Sequence, residues 1–283
     1  MQRYIEQAQL NNVNHACLAV AGQVELDWID LTNNHWAFSR SALARDLSVP
    51  ITVINDFTAQ TLSVDALDQS AFFWVGQPRP VVGRVKVVVG PGTGLGVSAM
   101  MPKGEVVPSE AGHIAFAPTD EHQIALLQML WKRHQRVSVE RLLSGMGLAN
   151  LYWANAQLQG VEKELSAPDI SVGADLEDPL CLKAIDDFYH ILADVSGDIA
   201  LMMGADGGLY LSGGILPKIK HFLSVDTFRQ RFEDKGRFSE FCSTVPVALI
   251  LAEHPGLVGC VEALKINDIE SEGVEDGVGF LVV

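Results

Sequence analysis

The chain has 283 residues, 48% of them hydrophobic and 19% charged, with a mean hydropathy of +0.19. That is enough apolar material for one large or two ordinary domains, and it excludes a disordered polymer. A net charge of −15, from 35 acidic against 20 basic residues, argues against a nucleic-acid backbone as partner. No apolar run reaches the length of a membrane span, and Met1-Gln-Arg-Tyr-Ile-Glu-Gln7 lacks the apolar core of a signal peptide. Cys17, Cys181, Cys242 and Cys260 are scattered, with no Cys-x-x-Cys pair, and read as buried free thiols of a reducing cytoplasm. These bounds suit a cytoplasmic small-molecule enzyme that holds any anionic ligand locally, by backbone amides or a metal.

In chain order, residues 1–10 read as the end of a helix, closed by a turn at Asn11-Asn12. Residues 16–21 form a small apolar strand ending at Gly22, and 25–32 an extended piece leading into Asn33-Asn34-His35-Trp36. Ser39 caps a helix to about Leu47, with Pro50 beyond it; residues 51–54 are a strand, and 57–67 an amphipathic helix. The β-branched run from Val85 then breaks into alternating glycines, Gly90-Pro-Gly-Thr-Gly-Leu-Gly96. Val97–Met101 and a second turn at Pro102-Lys-Gly104 follow, so the arrangement is strand, glycine turn, strand. A dinucleotide fingerprint would need a helix there, and a Walker loop would need Gly-Lys-Ser/Thr. What is left is a tight hairpin turn or an anion cradle built from backbone amides and the Thr93 hydroxyl. Helices are expected at 121–133, 139–144, 147–157, 168–172 and 179–203, the last ended by Gly207-Gly208. Strand 209–212 is broken by Gly213-Gly214, and a helix starts at 215–217. Strand 245–251, helix 255–264 and an acidic, glycine-containing, loosely ordered tail over 267–283 complete the chain. Short strands alternating with helices indicate an α/β protein.

Several polar positions could carry chemistry. Asp56 stands where strand 51–54 meets a helix, and either caps that helix or takes a proton from a hydroxyl that Asn55 orients. In Glu110-Ala-Gly-His113 small residues separate a carboxylate from an imidazole, which is either a solvated surface turn or two ligands facing one cleft. Glu140, in the first turn of the helix expected at 139–144, is either an acid placed favourably at a positive helix end or a ligand.

Read together, Ile54-Asn-Asp-Phe57, Gly92-Thr-Gly-Leu-Gly96, Glu110-Ala-Gly-His113, Ser138-Val-Glu-Arg-Leu-Leu-Ser-Gly145 and Leu211-Ser-Gly-Gly214 occur in an order and spacing that closely resemble bacterial-type glucokinases of the hexokinase and actin superfamily. Leu31-Thr-Asn33 with Trp36, Phe232-Glu-Asp-Lys-Gly-Arg-Phe238 and Glu253-His-Pro-Gly-Leu257 extend the resemblance from about Ala19 to Leu264. It implies an α/β fold of two ribonuclease-H-like domains with a cleft between them, the actin-like ATPase fold. The smaller domain would comprise 1–66 and 254–266, the larger 67–253, with a tail at 267–283. It further implies ATP-dependent phosphorylation of glucose at the 6-hydroxyl. Asp56 would be the base, and Asn55, Glu110, His113 and Glu140 the sugar ligands. Gly92, Thr93, Gly94, Gly96, Gly213 and Gly214 would hold ATP, which works with Mg²⁺, and a homodimer is what the resemblance suggests.

The family's first phosphate loop, Asp-x-Gly-Gly-Thr, occurs nowhere in this sequence. The register places Met1 on the helix after that loop, so about forty residues and three strands of the smaller domain are expected to be missing. Strand 16–21 would then lack its usual neighbours, an exposed edge. An incomplete chain is one explanation, and a sugar-binding protein without catalysis, or an inactive kinase remnant, is the alternative function. The zinc-binding cysteine cluster of the related repressor–kinase family is also absent.

Overall fold

A computed structural model of the chain describes residues 13–31, 36–77, 83–270 and 279–282. The expected helix at 1–10 and the Asn33-Asn34-His35 turn lie outside the described residues. The chain divides into two compact units: residues 1–71, 106–108 and 252–283 form the first, residues 72–105 and 109–251 the second.

In the first unit β1 (Val13–Val20) precedes the short ribbon of β2 (Trp28–Asp30) and β3 (Ala37–Ser39). Ser39 leaves the ribbon in extended conformation and caps α1 (Arg40–Leu47), its Oγ accepting from Ala42 N at 3.1 Å. Asp27 braces this start, accepting from Ser41 N at 2.8 Å and Ser39 Oγ at 2.6 Å. The crossover lets β4 (Ile51–Asn55) run parallel to β1, with Ala16 opposite Ile51 and Val20 opposite Asn55. α2 (Asp56–Ser63) follows without a loop. One apolar layer joins Leu18, Ile29 and Val53; another brings Cys17 against Ala59 and Leu62.

The second unit is built on β5 (Phe72–Trp74), β6 (Lys86–Pro91), β7 (Leu95–Met100), β9 (Gly208–Leu211) and β10 (Val247–Ile250). β8 (Val106–Ser109), whose first three residues are grouped with the first unit, completes the sheet order β5-β10-β9-β6-β7-β8. β6, β9 and β10 are parallel, while β6 and β7 form an antiparallel hairpin. Val87, Val88 and Val89 are wholly buried, which explains the unbroken β-branched run. Around the sheet lie α3 (Glu121–Leu130), α4 (Gly145–Leu158), α5 (Ala167–Asp175), α6 (Pro179–Met203), α7 (Leu216–Ile219), α8 (Val225–Glu233) and α9 (Ser239–Thr244). α6 has the bounds read from its periodicity. Asp178 caps it through two backbone N–H groups, and it ends at left-handed Gly204 rather than at Gly207-Gly208. The helix expected at 139–144 is instead a single 3-10 turn at Val139–Arg141. Ser144 there begins α4, its Oγ accepting from Gly147 N at 3.0 Å.

α10 (Pro255–Glu270) returns the chain to the first unit, where Gly259 sits against the Ala59 backbone with no room for a Cβ. β11 (Gly279–Val282) then pairs parallel with β1, placing Val13 opposite Gly279 and Cys17 opposite Val282. The first unit's sheet is therefore β11-β1-β4. This corrects two expectations: the segment read as a loose tail supplies a helix end and a strand, and β1 is paired on both sides.

Candidate functional site

In the first unit, β4 delivers Asn55 and Asp56 to the start of α2. Asn55, in extended conformation, caps the helix: its Oδ1 accepts from Phe57 N at 2.9 Å and Thr58 N at 3.3 Å. Asp56 is the first helical residue, its Oδ1 3.0 Å from Phe57 N. The cap foreseen for Asp56 is thus made by its neighbour, while the Asp56 carboxylate lies at the positive end of the helix, which favours an anion.

In the second unit the two glycine segments meet. β6 and β9 are parallel neighbours, so the turns after both leave from the same end of the sheet, where open α/β sheets carry their ligands. Ser212 N donates to Val89 O at 2.9 Å. Gly213 has φ +94°, and its Cα faces Pro91 O so closely that no side chain fits. Within the hairpin, Gly92 N donates to Gly94 O at 2.8 Å, and Gly92 O accepts from Gly145 N at 2.9 Å. Thr93 is exposed at the tip, and a Cβ built on Gly92 or Gly214 would meet nothing within 4 Å. These bare backbones lining open space, with a hydroxyl at the tip, suit a nucleotide and its phosphates.

The polar ligands foreseen in this unit also converge. A short ladder, with Ala115 bridged to Ser138, Phe116 N donating to Val137 O at 3.1 Å and Val139 N to Ile114 O at 3.0 Å, sets Glu110-Ala-Gly-His113 beside Ser138-Val-Glu140. His113 lies between two carboxylates, Nε2 3.8 Å from Glu110 Oε2 and Nδ1 3.9 Å from Glu140 Oε1. Glu110 is 93% exposed, whereas Glu140 is 29% exposed, and Leu95 N of the hairpin donates to its Oε2 at 2.9 Å. Ser144 Oγ donates to Glu140 O at 2.8 Å, fixing the turn that carries it. Gly112 packs against Leu95 O with no space for a Cβ. Glu110, His113 and Glu140 thus form one row ending on the glycine hairpin.

Sequence reasoning missed Leu95, Ser144 and Gly112. Leu95 acts through its main chain, which no residue type announces, but Ser144-Gly145-Met-Gly147 is a legible cap. Among the described residues one group could in principle grip a cation, Asp186, Asp187 and His190. Asp187 is already compensated there by Lys183 Nζ at 2.6 Å and by Asn155 Nδ2 at 2.7 Å.

The Glucokinase family model matches residues 1–266. Glucokinase of Chromohalobacter salexigens is 40% identical over 274 residues, covering 95% of this chain and 86% of that protein. The crystal structure of a glucokinase from an Antarctic psychrotroph superposes with a TM-score of 0.87 at 34% identity, covering 94% of this chain and 84% of that one. A glucokinase of the ROK family from Streptomyces griseus, solved in complex with glucose and AMPPNP, shares the fold at TM-score 0.61 and 18% identity, over 93% of this chain and 85% of that one. The fold class is the actin-like α/β one expected from the motifs. With residues 1–266 matched to one family model and a relative 40% identical over 274 residues, the chain belongs to the glucokinases.

Proposed function

We propose that the chain is an ATP-dependent hexose kinase that phosphorylates glucose at its 6-hydroxyl. The observation that carries this reading is the row Glu110, His113 and Glu140 ending on the glycine hairpin. A neutral polyol offers many hydroxyl donors, and carboxylates accept them where they would repel an anion. Each mismatched buried polar group costs about 1–3 kcal/mol, so such a row selects among epimers. Glu110 and Glu140 accept sugar hydroxyls, and His113 between them donates or accepts according to its tautomer. Asn55 spends Oδ1 on the helix cap, so its Nδ2 is the group that donates to the sugar.

Asp56 is the general base. As the sugar O6 attacks the terminal phosphorus, the new O–P bond forms, the bond from phosphorus to the bridging oxygen of ADP breaks, and the hydroxyl proton passes to the Asp56 carboxylate. Backbone amides of Thr93, Gly94 and Gly96 and the Thr93 hydroxyl hold phosphate oxygens, while Gly92, whose N–H is spent on Gly94 O, shapes the turn and leaves room beside it. Gly213 and Gly214 leave room for the adenosine. Mg²⁺, carried in with ATP, supplies charge neutralisation, and no residue of this chain is assigned to it as a ligand. A cytoplasmic location and a homodimer belong to the same reading.

The test is Asp56→Asn, which keeps shape and removes the base. Turnover is expected to fall about 10²–10⁴-fold, with glucose affinity by calorimetry nearly unchanged. Substantial remaining activity would assign the base elsewhere. A panel including other hexoses and an N-acyl sugar checks the substrate.

A further inference from the structure

Gly94 belongs to the nucleotide hairpin, yet the side chain nearest to it is a sugar ligand. A Cβ built on Gly94 lies 2.5 Å from Glu140 Oε2 and 3.3 Å from Glu140 Cδ, with nothing else within 4 Å. The same oxygen accepts from Leu95 N at 2.9 Å. The carboxylate therefore rests in a notch that exists because residue 94 has no side chain, and the next peptide group clamps it there. One oxygen is spent on the hairpin, and the other, Oε1, is turned towards His113 at 3.9 Å. On the hairpin's other flank, Gly112 abuts Leu95 O, so Glu110 and His113 are registered to the same peptide.

We infer that Gly94 is a positioning residue for sugar binding: it seats the Glu140 carboxylate, and through Leu95 N it ties sugar affinity to the conformation of the nucleotide hairpin. The inference rests on the sugar-kinase reading. Its consequence runs against the hairpin's assigned duty, since a change in the nucleotide loop weakens sugar binding with no nucleotide present. By linkage, anything that shifts the hairpin shifts glucose affinity, and glucose shifts nucleotide affinity by the same factor.

Gly94→Ala is the sharp variant. Gly94 is not among the residues with positive φ, so alanine meets no backbone strain. The atom it displaces is the tip of a flexible side chain. Calorimetry of the full chain with glucose, without nucleotide, is expected to show about a 10-fold loss of affinity, a cost of about one hydrogen bond to a charged group, with the melting temperature within a few degrees of wild type. Glu140→Ala and the double variant complete a cycle, and Gly94→Ala is expected to cost nothing further once Glu140 is gone. Unchanged glucose affinity in Gly94→Ala, or a loss that adds fully to that of Glu140→Ala, overturns the inference while leaving the kinase reading intact. An unfolded Gly94→Ala protein also overturns it, because the carboxylate rather than the hairpin has to yield. Failure of the wild-type chain to bind glucose contradicts the kinase reading itself, and the inference falls with it.

Discussion

Under the proposed mechanism Asn55 and Asp56 have separate tasks, the helix cap for one and the base for the other. Asp56 Oδ1 also accepts from Phe57 N at 3.0 Å, so the carboxylate is held at the start of the helix without being its cap. Here Asn55 takes the cap, and the acid is set one step into the helix. Elsewhere a buried carboxylate has a purely structural part. Asp194, inside the second unit, accepts from Arg231 Nη2 and Gln123 Nε2 at 2.6 Å and from Thr119 Oγ1 at 2.8 Å. Arg231→Met leaves that charge without its cation and is expected to cost about 3–5 kcal/mol in chemical denaturation; a loss below 1 kcal/mol would mean that the neutral donors suffice. At this scale the sequence was informative about side chains and silent about main chains. Glu110 and His113 were legible as polar residues separated by small ones, and Glu140 as an acid in the first turn of an expected helix. The donor that orders Glu140, Leu95 N, was not, because every residue carries an N–H.

Elements were legible where periodicity and punctuation agreed. α6 had a capping Asp178, Pro179 in its first turn and apolar residues at helical spacing over 25 residues, and it folds as read. The stretch 139–144 carries helical residue types, yet Ser144 starts its own helix six residues after Ser138, leaving space for one 3-10 turn only. α8, whose buried stripe is only Phe228 and Phe232 four apart, carries too short a periodicity to announce itself as a helix. The caps also add an acid-sensitive contribution to the stability of the second unit. Backbone N–H groups of Cys181 and Leu180, with Lys163 nearby, hold the Asp178 carboxyl below its ordinary value. Burial pushes Asp120 upward, but hydrogen bonds from Gln123 N and Arg231 outweigh it and bring it below as well. Depressed carboxyls bind fewer protons folded than unfolded, so their contribution is complete above the unfolded value near 3.9 and is lost as pH falls through the lower folded values. Unfolding free energy is therefore expected to be flat from these groups at neutral pH and to drop below about pH 4. Asp178→Ala, expected to cost about 1 kcal/mol at pH 7, should lose less than wild type between pH 5 and pH 3; an equal or steeper loss would detach the acid sensitivity from this cap.

At the scale of the molecule, the alternation of strands and helices and five ordered motifs sufficed for the fold class. They did not reveal what lies along the open side of β1. A strand far away in sequence leaves no local sign of the edge it joins, and the acidic, glycine-containing stretch before Gly279 looks like a tail. β11 occupies that edge. Ending the chain at Glu270 is expected to lower the melting temperature of the first unit and promote aggregation through the bared β1 edge; an unchanged melt and a monodisperse product would show β11 to be dispensable. Phosphoryl transfer to a sugar is read out by incubating the purified chain with glucose and Mg-ATP and measuring glucose 6-phosphate through a coupled dehydrogenase. Product forming in step with ADP, and lost in Asp56→Asn, is the result expected. Heat of glucose binding without product would contradict it and leave a sugar-binding protein that does not turn over.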